Sequence, residues 1–242
     1  MLGTHIIAAG RAGTALARNG RAAAQVKAAT AGAIHAEIFA LLGGAGTAPR
    51  QFRIGGTLVD VTVASEGSLL NPNLARAIEL TTLLQELGAD TRLANSVTAA
   101  ILDWRNGGTL PRPGGAKAPQ YLAAGRVYGP ADTSFGSIAE LGLVLGMTPT
   151  LLDLLRPHLT IFTSMDPIGA SSDPIVARAM QTATSPGSRP PGGDLGSIAV
   201  QRINAVGYGP DGASLVLQAV VRLNATASGL PFEILSWRHV VG

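Results

Sequence analysis

At 242 residues and 46% hydrophobic content, the chain is long enough for one large domain or two small ones, and apolar enough for a sizeable core, which excludes wholesale disorder. It has no cysteine, which excludes disulfides, thiolate zinc sites and cysteine nucleophiles, and its 4% aromatic content argues against a stacking platform for single-stranded nucleic acid. The net charge of +3 is spread thinly: residues 1–60 carry six bases and two acids, 61–185 eight and ten, and 186–242 four and three, with no dense basic run.

Residues 1 to about 42 read as one long Ala-rich helix without proline, stopped by Gly43-Gly44. Ile6, Ala9, Gly13, Leu16, Gly20 and Ala23 recur at spacings of three and four, and these small residues let a second helix come close. Ile6, Ala9, Gly13 and Leu16 are therefore the candidate partner-binding residues. Arg11, Arg18, Arg21 and Lys27 form a basic face elsewhere on the helix. No apolar run approaches the roughly 20 residues needed to cross a bilayer, and Met1 to Ile7 lacks the basic and apolar regions of a signal peptide.

Gln51 to Ile54, the pair Gly55-Gly56 and the alternating Val59, Val61 and Val63 predict a tight hairpin. From residue 71 the period becomes helical. Asn71-Pro72 reads as a cap followed by proline at the first helical position, with Leu74, Ile78, Leu84 and Leu87 on one face and Gly88 at the end. Asp90 caps a second helix that turns Leu93, Val97, Ile101 and Trp104 inward. Ser137 and Glu140 read as a capping box, and Thr148-Pro149 and Asp173-Pro174 repeat the cap-then-proline device. Between these helices runs a Gly- and Pro-rich loop, Asn106 to Gly136, of a length that is usually functional or disordered. Residues 184–194 read as a linker. The strands resume with Ile198 and Val200. A turn at Pro210-Asp211-Gly212 leads into alternating Leu215, Leu217, Ala219, Val221 and Leu223, and Phe232 to Trp237 reads as the last strand. The simplest assembly joins both strand sets in one antiparallel sheet, with the helical block inserted between them.

Catalytic chemistry is sparse. His5, His35, His158 and His239 are scattered away from metal-ligand spacing, no G-x-S-x-G elbow occurs, and Gly43 to Thr47 lacks the Gly-Lys-Ser/Thr ending of a phosphate loop. The expectation is no enzyme, no catalytic residue and no cofactor. Leu143 to Thr148, followed by a Leu-rich helix to Arg156-Pro157, has the look of a helix-hairpin-helix unit. That leaves a nucleic-acid module as the alternative, although the surrounding block is net negative and lacks the basic surface such binding needs.

Ile101-Leu102-Asp103-Trp104-Arg105, then Leu110-Pro111-Arg112-Pro113-Gly114-Gly115-Ala116 and Tyr121, resembles the core of minor pseudopilin K of type II secretion systems. So do Phe135-Gly136-Ser137-Ile138-Ala139-Glu140-Leu141, Gly146-Met147-Thr148-Pro149, Leu155-Arg156-Pro157-His158-Leu159-Thr160 and the closing Pro231-Phe232-Glu233-Ile234-Leu235-Ser236-Trp237-Arg238. The resemblance implies a non-enzymatic tip subunit of a periplasmic pseudopilus at the bacterial inner membrane, in complex with minor pseudopilins I and J. It implies an α+β fold: a long N-terminal helix (1–48) on a pilin-like antiparallel sheet (49–70 and 195–242), with a large inserted all-α, SAM-like or helix-hairpin-helix-like domain and linker (71–194).

Members of that family begin with a membrane helix, cleaved after a glycine with a glutamate shortly behind. Neither feature stands in this sequence, so a truncated start is expected. The family also places acidic residues after its Asp-Trp and near its Gly-Ala, where calcium binds. Here Asp103-Trp104-Arg105 runs into Asn106-Gly107-Gly108, Lys117 follows Ala116, and no Asp or Glu lies between Trp104 and Ala131. Calcium takes six to eight oxygens, so the expectation is no bound metal. The Lys117 ammonium would stand beside Asp103 in the cation's place, carbonyls of the loop would accept its remaining bonds, and Tyr121 and Tyr128 would anchor the loop by burial.

Overall fold

The computed structural model describes residues 2–164, 171–183, 199–209, 214–224 and 230–240, with side chains from residue 17 onward. The chain divides into two compact units, one of Met1–Ala64 with Gly196–Gly242, the other of Ser65–Leu195. The second unit therefore begins at Ser65, a few residues before the expected boundary at residue 71.

The first unit is a helix on a sheet. Helix α1 (Leu2–Leu42) is continuous, as its Ala-rich, proline-free sequence dictates. It ends in a Schellman motif: Gly44 takes φ 83°, Ala45 N–H donates to Ala40 O at 2.9 Å and Gly44 N–H to Leu41 O at 3.0 Å. Val26, Ala29, Ala33, Ile34 and Ile38 fall on one face of the helix, at i, i+3, i+7, i+8 and i+12, and are buried. Opposite them lie Val59, Val61, Ile203, Ala205, Leu217, Ala219 and Val221 of the sheet. Glu37, also on this buried face, meets Arg50 Nη1 at 2.7 Å.

The sheet has the order β1 (Arg50–Ile54), β2 (Thr57–Ser65), β3 (Ala199–Tyr208), β4 (Ser214–Leu223) and β5 (Phe232–Val240). Pairs β1–β2, β3–β4 and β4–β5 are antiparallel. Both strand sets thus share one sheet, as the alternation implied. The β1–β2 hairpin closes at Ile54↔Thr57 through Gly55 (φ 55°) and Gly56 (φ 83°), two left-handed positions that make Gly-Gly the fitting pair. Strand β5 runs three residues past Trp237. Ile198, the turn at 210–212 and the linker 184–194 lie outside the described residues.

The second unit is helical: α2 (Ala77–Glu86), α3 (Thr91–Arg105), α4 (Ala118–Ala123), α5 (Pro149–Leu155) and α6 (Pro174–Ala183), with 3₁₀ turns at Glu66–Ser68, Ile138–Leu143 and Arg156–His158. The expected caps of α3, α5 and α6 form: Asp90 Oδ1 accepts Leu93 N–H at 2.8 Å, Thr148 Oγ1 accepts Leu151 N–H at 3.2 Å, and Asp173 Oδ1 accepts Val176 N–H at 3.0 Å.

Three expectations need correction. Asn71 caps no helix: its Oδ1 accepts Asn73 N–H at 2.9 Å and its Nδ2 donates to Thr163 O at 2.8 Å. Helix α2 starts instead at the Arg76 cap, whose backbone N–H donates to Glu79 Oε2 at 2.7 Å. Of the expected inward face, Leu84 is buried and Leu87 packs against the core, joined by Leu80 and Leu83, while Leu74 and Ile78 are exposed. The Ser137–Glu140 pair is half a capping box. Ser137 Oγ accepts Glu140 N–H at 3.3 Å, but the Glu140 carboxylate goes to Gly136 N–H and Trp104 Nε1. The stretch from Asn106 to Gly136 is not all loop, because it contains α4.

Candidate functional site

The α3–α4 connection is organised by charge. Asp103, at the buried end of α3, is 1% exposed. Its Oδ2 accepts the Arg112 N–H and its Oδ1 the Arg112 Nη1, both at 3.0 Å. Arg112-Pro113-Gly114-Gly115 forms a turn in which Gly115 N–H donates to Arg112 O at 2.8 Å and Gly114 takes φ 75°, the geometry that favours Pro then Gly at the two central positions. A Cβ on Gly115 would stand 2.1 Å from Asp103 Oδ2, so glycine is what admits the carboxylate against the turn.

Lys117 follows and is 4% exposed. Its Nζ donates to the backbone O of Asp103 at 2.7 Å, to the backbone O of Asn106 and to Asp132 Oδ1. Lys117 thus stands beside Asp103, as expected, with one carbonyl of α3 and one of the loop as acceptors. The correction is the carboxylate: Asp103 gives its own to Arg112, and Asp132 supplies the one facing Lys117. Asp132 sits at φ 55°, a left-handed position that aspartate tolerates better than most residues. An open cleft of about 530 Å³ adjoins these groups, lined among others by Asn106, Gly107, Gly108 and Arg112.

Beneath the loop lies an aromatic cluster. Trp104 stacks on Phe135 at 6.0 Å with the planes 7° apart, Tyr121 lies 6.0 Å from Trp104, and Tyr128 lies 5.8 Å from Tyr121. Tyr121 is fully buried, Tyr128 packs against the same core from a partly buried position, and the Tyr121 hydroxyl accepts Leu145 N–H at 3.0 Å. Burial pushes the Tyr121 hydroxyl above the ordinary tyrosine value, and the bond from Leu145 offsets this only in part. An unfolded tyrosine gives up its proton near about pH 10, whereas the folded one holds it to higher pH. The resulting stability is complete below the unfolded value and is lost as pH rises through the folded one. Tyr121→Phe is expected to cost about 1–2 kcal/mol at neutral pH by orphaning the Leu145 N–H, and to flatten the alkaline decline above about pH 10. Urea unfolding across a pH series checks both effects.

The helical backbone carries Ile6, Ala9, Gly13 and Leu16, but their side chains lie outside those described. Further along the same stripe, Gly20 and Ala23 are exposed, and a Cβ on Gly20 would meet nothing within 4 Å. Arg18, Arg21 and Lys27 are exposed as well. Of the histidines, His35 and His239 are on the surface, His158 Nδ1 meets Asp173 Oδ2 at 2.7 Å, and His5 lies outside the described side chains. Among the described residues, no group of three or more His, Asp or Glu is placed to hold a metal, and no helix is long and apolar enough to cross a membrane. The hairpin expected around Leu143–Thr148 has a 3₁₀ turn for its first arm, and its nearby base, Arg156, faces Asp153 at 3.9 Å, so nucleic-acid binding finds no support.

Comparison with known proteins bears on this arrangement. Residues 58–164 match the family described as Type II secretion system (T2SS), protein K. Type II secretion system protein K of Pectobacterium carotovorum subsp. carotovorum is 34% identical over 77 residues, 32% of this chain and 24% of that protein, so the match spans about a quarter of the relative. The fold is similar to a chain in the crystal structure of the GspK-GspI-GspJ complex from the enterotoxigenic Escherichia coli type 2 secretion system. The TM-score is 0.68 at 14% identity, over 93% of this chain and 99% of that one, a likeness of fold. The segment carrying Leu102-Asp103-Trp104-Arg105, the Arg112–Gly115 turn and Lys117 thus lies within the stretch that is similar to protein K of the type II secretion system.

Proposed function

We propose that this chain is a minor pseudopilin of the K class, a structural tip subunit that assembles with minor pseudopilins I and J to initiate or cap a type II secretion pseudopilus. The observation that carries this reading is the fold likeness to a chain of the GspK-GspI-GspJ complex over 93% of this chain, together with the family match at residues 58–164. On this reading the protein works by binding rather than catalysis, its place is the periplasmic face of the bacterial inner membrane, and its helical unit is an inserted SAM-like domain. The test is co-expression with the I and J proteins of the same secretion system. A stable three-protein complex on size exclusion is expected, and three separate peaks would overturn the reading.

Helix α1 supplies the docking element in this proposal. Ala17, Arg18, Asn19 and Gly20 are all exposed, and Gly20 and Ala23 carry the small-residue stripe onto that uncovered stretch. Ile6, Ala9, Gly13 and Leu16 then pack against partner helices, where small residues permit close approach. Gly13→Leu is expected to reduce recovery of the three-protein complex at least tenfold, about 1.4 kcal/mol, while leaving the melting temperature of the chain alone unchanged. Unfolding of the isolated chain by that substitution would make the stripe part of its own core.

A further inference from the structure

The family resemblance implies calcium at the loop after Asp103, and the residues present do not fit it. Calcium takes six to eight oxygens, mostly carboxylate and carbonyl. The oxygens gathered here are five, and each already accepts an N–H: the carbonyls of Asp103 and Asn106 and Asp132 Oδ1 from Lys117, and both Asp103 carboxylate oxygens from Arg112. A divalent ion would displace two side-chain cations and meet their repulsion.

We infer that the Lys117 ammonium is the internal cation of this loop, so that the chain orders residues 106–132 without calcium. The geometry is that of a saturated site. An ammonium has three donors and no acceptor, and Lys117 Nζ has three oxygen partners drawn from two segments of the chain. Those segments are the C-terminal end of α3, through Asp103 and the cap residue Asn106, and Asp132 beyond α4, which a bound ion would otherwise draw together. An isolated buried ammonium would be costly, so the 4% exposure of Lys117 persists only because all three bonds are made. The 48% exposure of the Asp132 side chain leaves that carboxylate partly in water, which makes the ammonium the organising member of the pair.

The full chain alone, without partner subunits, tests the inference, so failure here is distinguishable from failure of the assembly reading. Thermal unfolding of the unaltered protein is expected to give the same melting temperature in millimolar calcium and in chelator. A clear calcium-dependent rise would overturn the inference. Lys117→Met is expected to speed hydrogen exchange of the 106–132 amides by more than tenfold, with no rescue by calcium. Unchanged exchange would overturn the ordering role. Should Lys117→Met fail to fold, Asp132→Asn serves instead, because it keeps an acceptor and removes the charge. Faster exchange confined to the same segment is expected from it, and unchanged exchange would again overturn the inference.

Discussion

Replacing Trp104 with alanine is expected to destabilise the Ser65–Leu195 unit by about 3–5 kcal/mol, the usual cost of emptying a buried aromatic site. Trp104 is 3% exposed, stacked on Phe135 and tilted against Tyr121. Its Nε1 donates to Glu140 Oε1 at 3.0 Å, and Glu140 Oε2 holds Gly136 N–H at 2.8 Å, so one carboxylate on the 3₁₀ turn at Ile138–Leu143 ties the indole to the backbone just ahead of that turn. Alanine empties the space and leaves the partly buried Glu140 Oε1 without its indole donor. Trp104→Phe keeps most of the apolar contact and loses only that bond, at about 1–2 kcal/mol. A chain of two compact units need not unfold in one transition, so the measurement is hydrogen exchange of the α3 amides. Leu110→Ala is the control, because Leu110 is 85% exposed. Equal effects from Trp104→Ala and Leu110→Ala would show that the aromatic cluster holds nothing together.

The second large effect is expected at Gly207, in the helix-on-sheet unit. Helix α1 crosses β3 so closely that a Cβ on Gly207 would stand 2.0 Å from Thr30 Oγ1 and 3.2 Å from Val26 Cγ1. Thr30 and Val26 are both buried, and Thr30 Oγ1 is tied to Val26 O at 2.7 Å, so neither yields freely. Gly207→Ala is expected to cost about 2–3 kcal/mol by pushing the helix off the sheet. In a Thr30→Ala background the nearest atom is gone, and the same change is expected to cost about 1 kcal/mol less. Chemical denaturation of the four proteins gives the coupling. Strict additivity would mean that the close approach is not what makes glycine fit.

The same two places separate local from long-range information. The caps at Asp90, Thr148 and Asp173, the Gly-Gly hairpin and the stop at Gly43-Gly44 were all legible in the chain, because each is a bond or a dihedral preference acting within a few residues. The inward face of α3 was legible for the same reason: Val97, Ile101 and Trp104 follow the helical period without interruption. Misreadings arose where a local signal had a distant competitor. Asn71 and Pro72 have the form of a helix start, yet Thr163 takes the Asn71 amide and the helix begins at Arg76 instead.

The charges show the same division. The sequence told that Lys117 had come into a region without acids, and the family motif placed Asp103 nearby. That Arg112 claims the Asp103 carboxylate, nine residues on, and that Asp132 closes on Lys117 from beyond α4, depended on where the Pro113-Gly114 turn and the left-handed Asp132 carry the backbone. Gly207 bore no signal at all in its own strand, since its neighbour is one turn of a helix more than 170 residues earlier. A side chain's chemistry is a property of its own residue, but its partner is chosen by which segments the folded chain brings within about 3 Å.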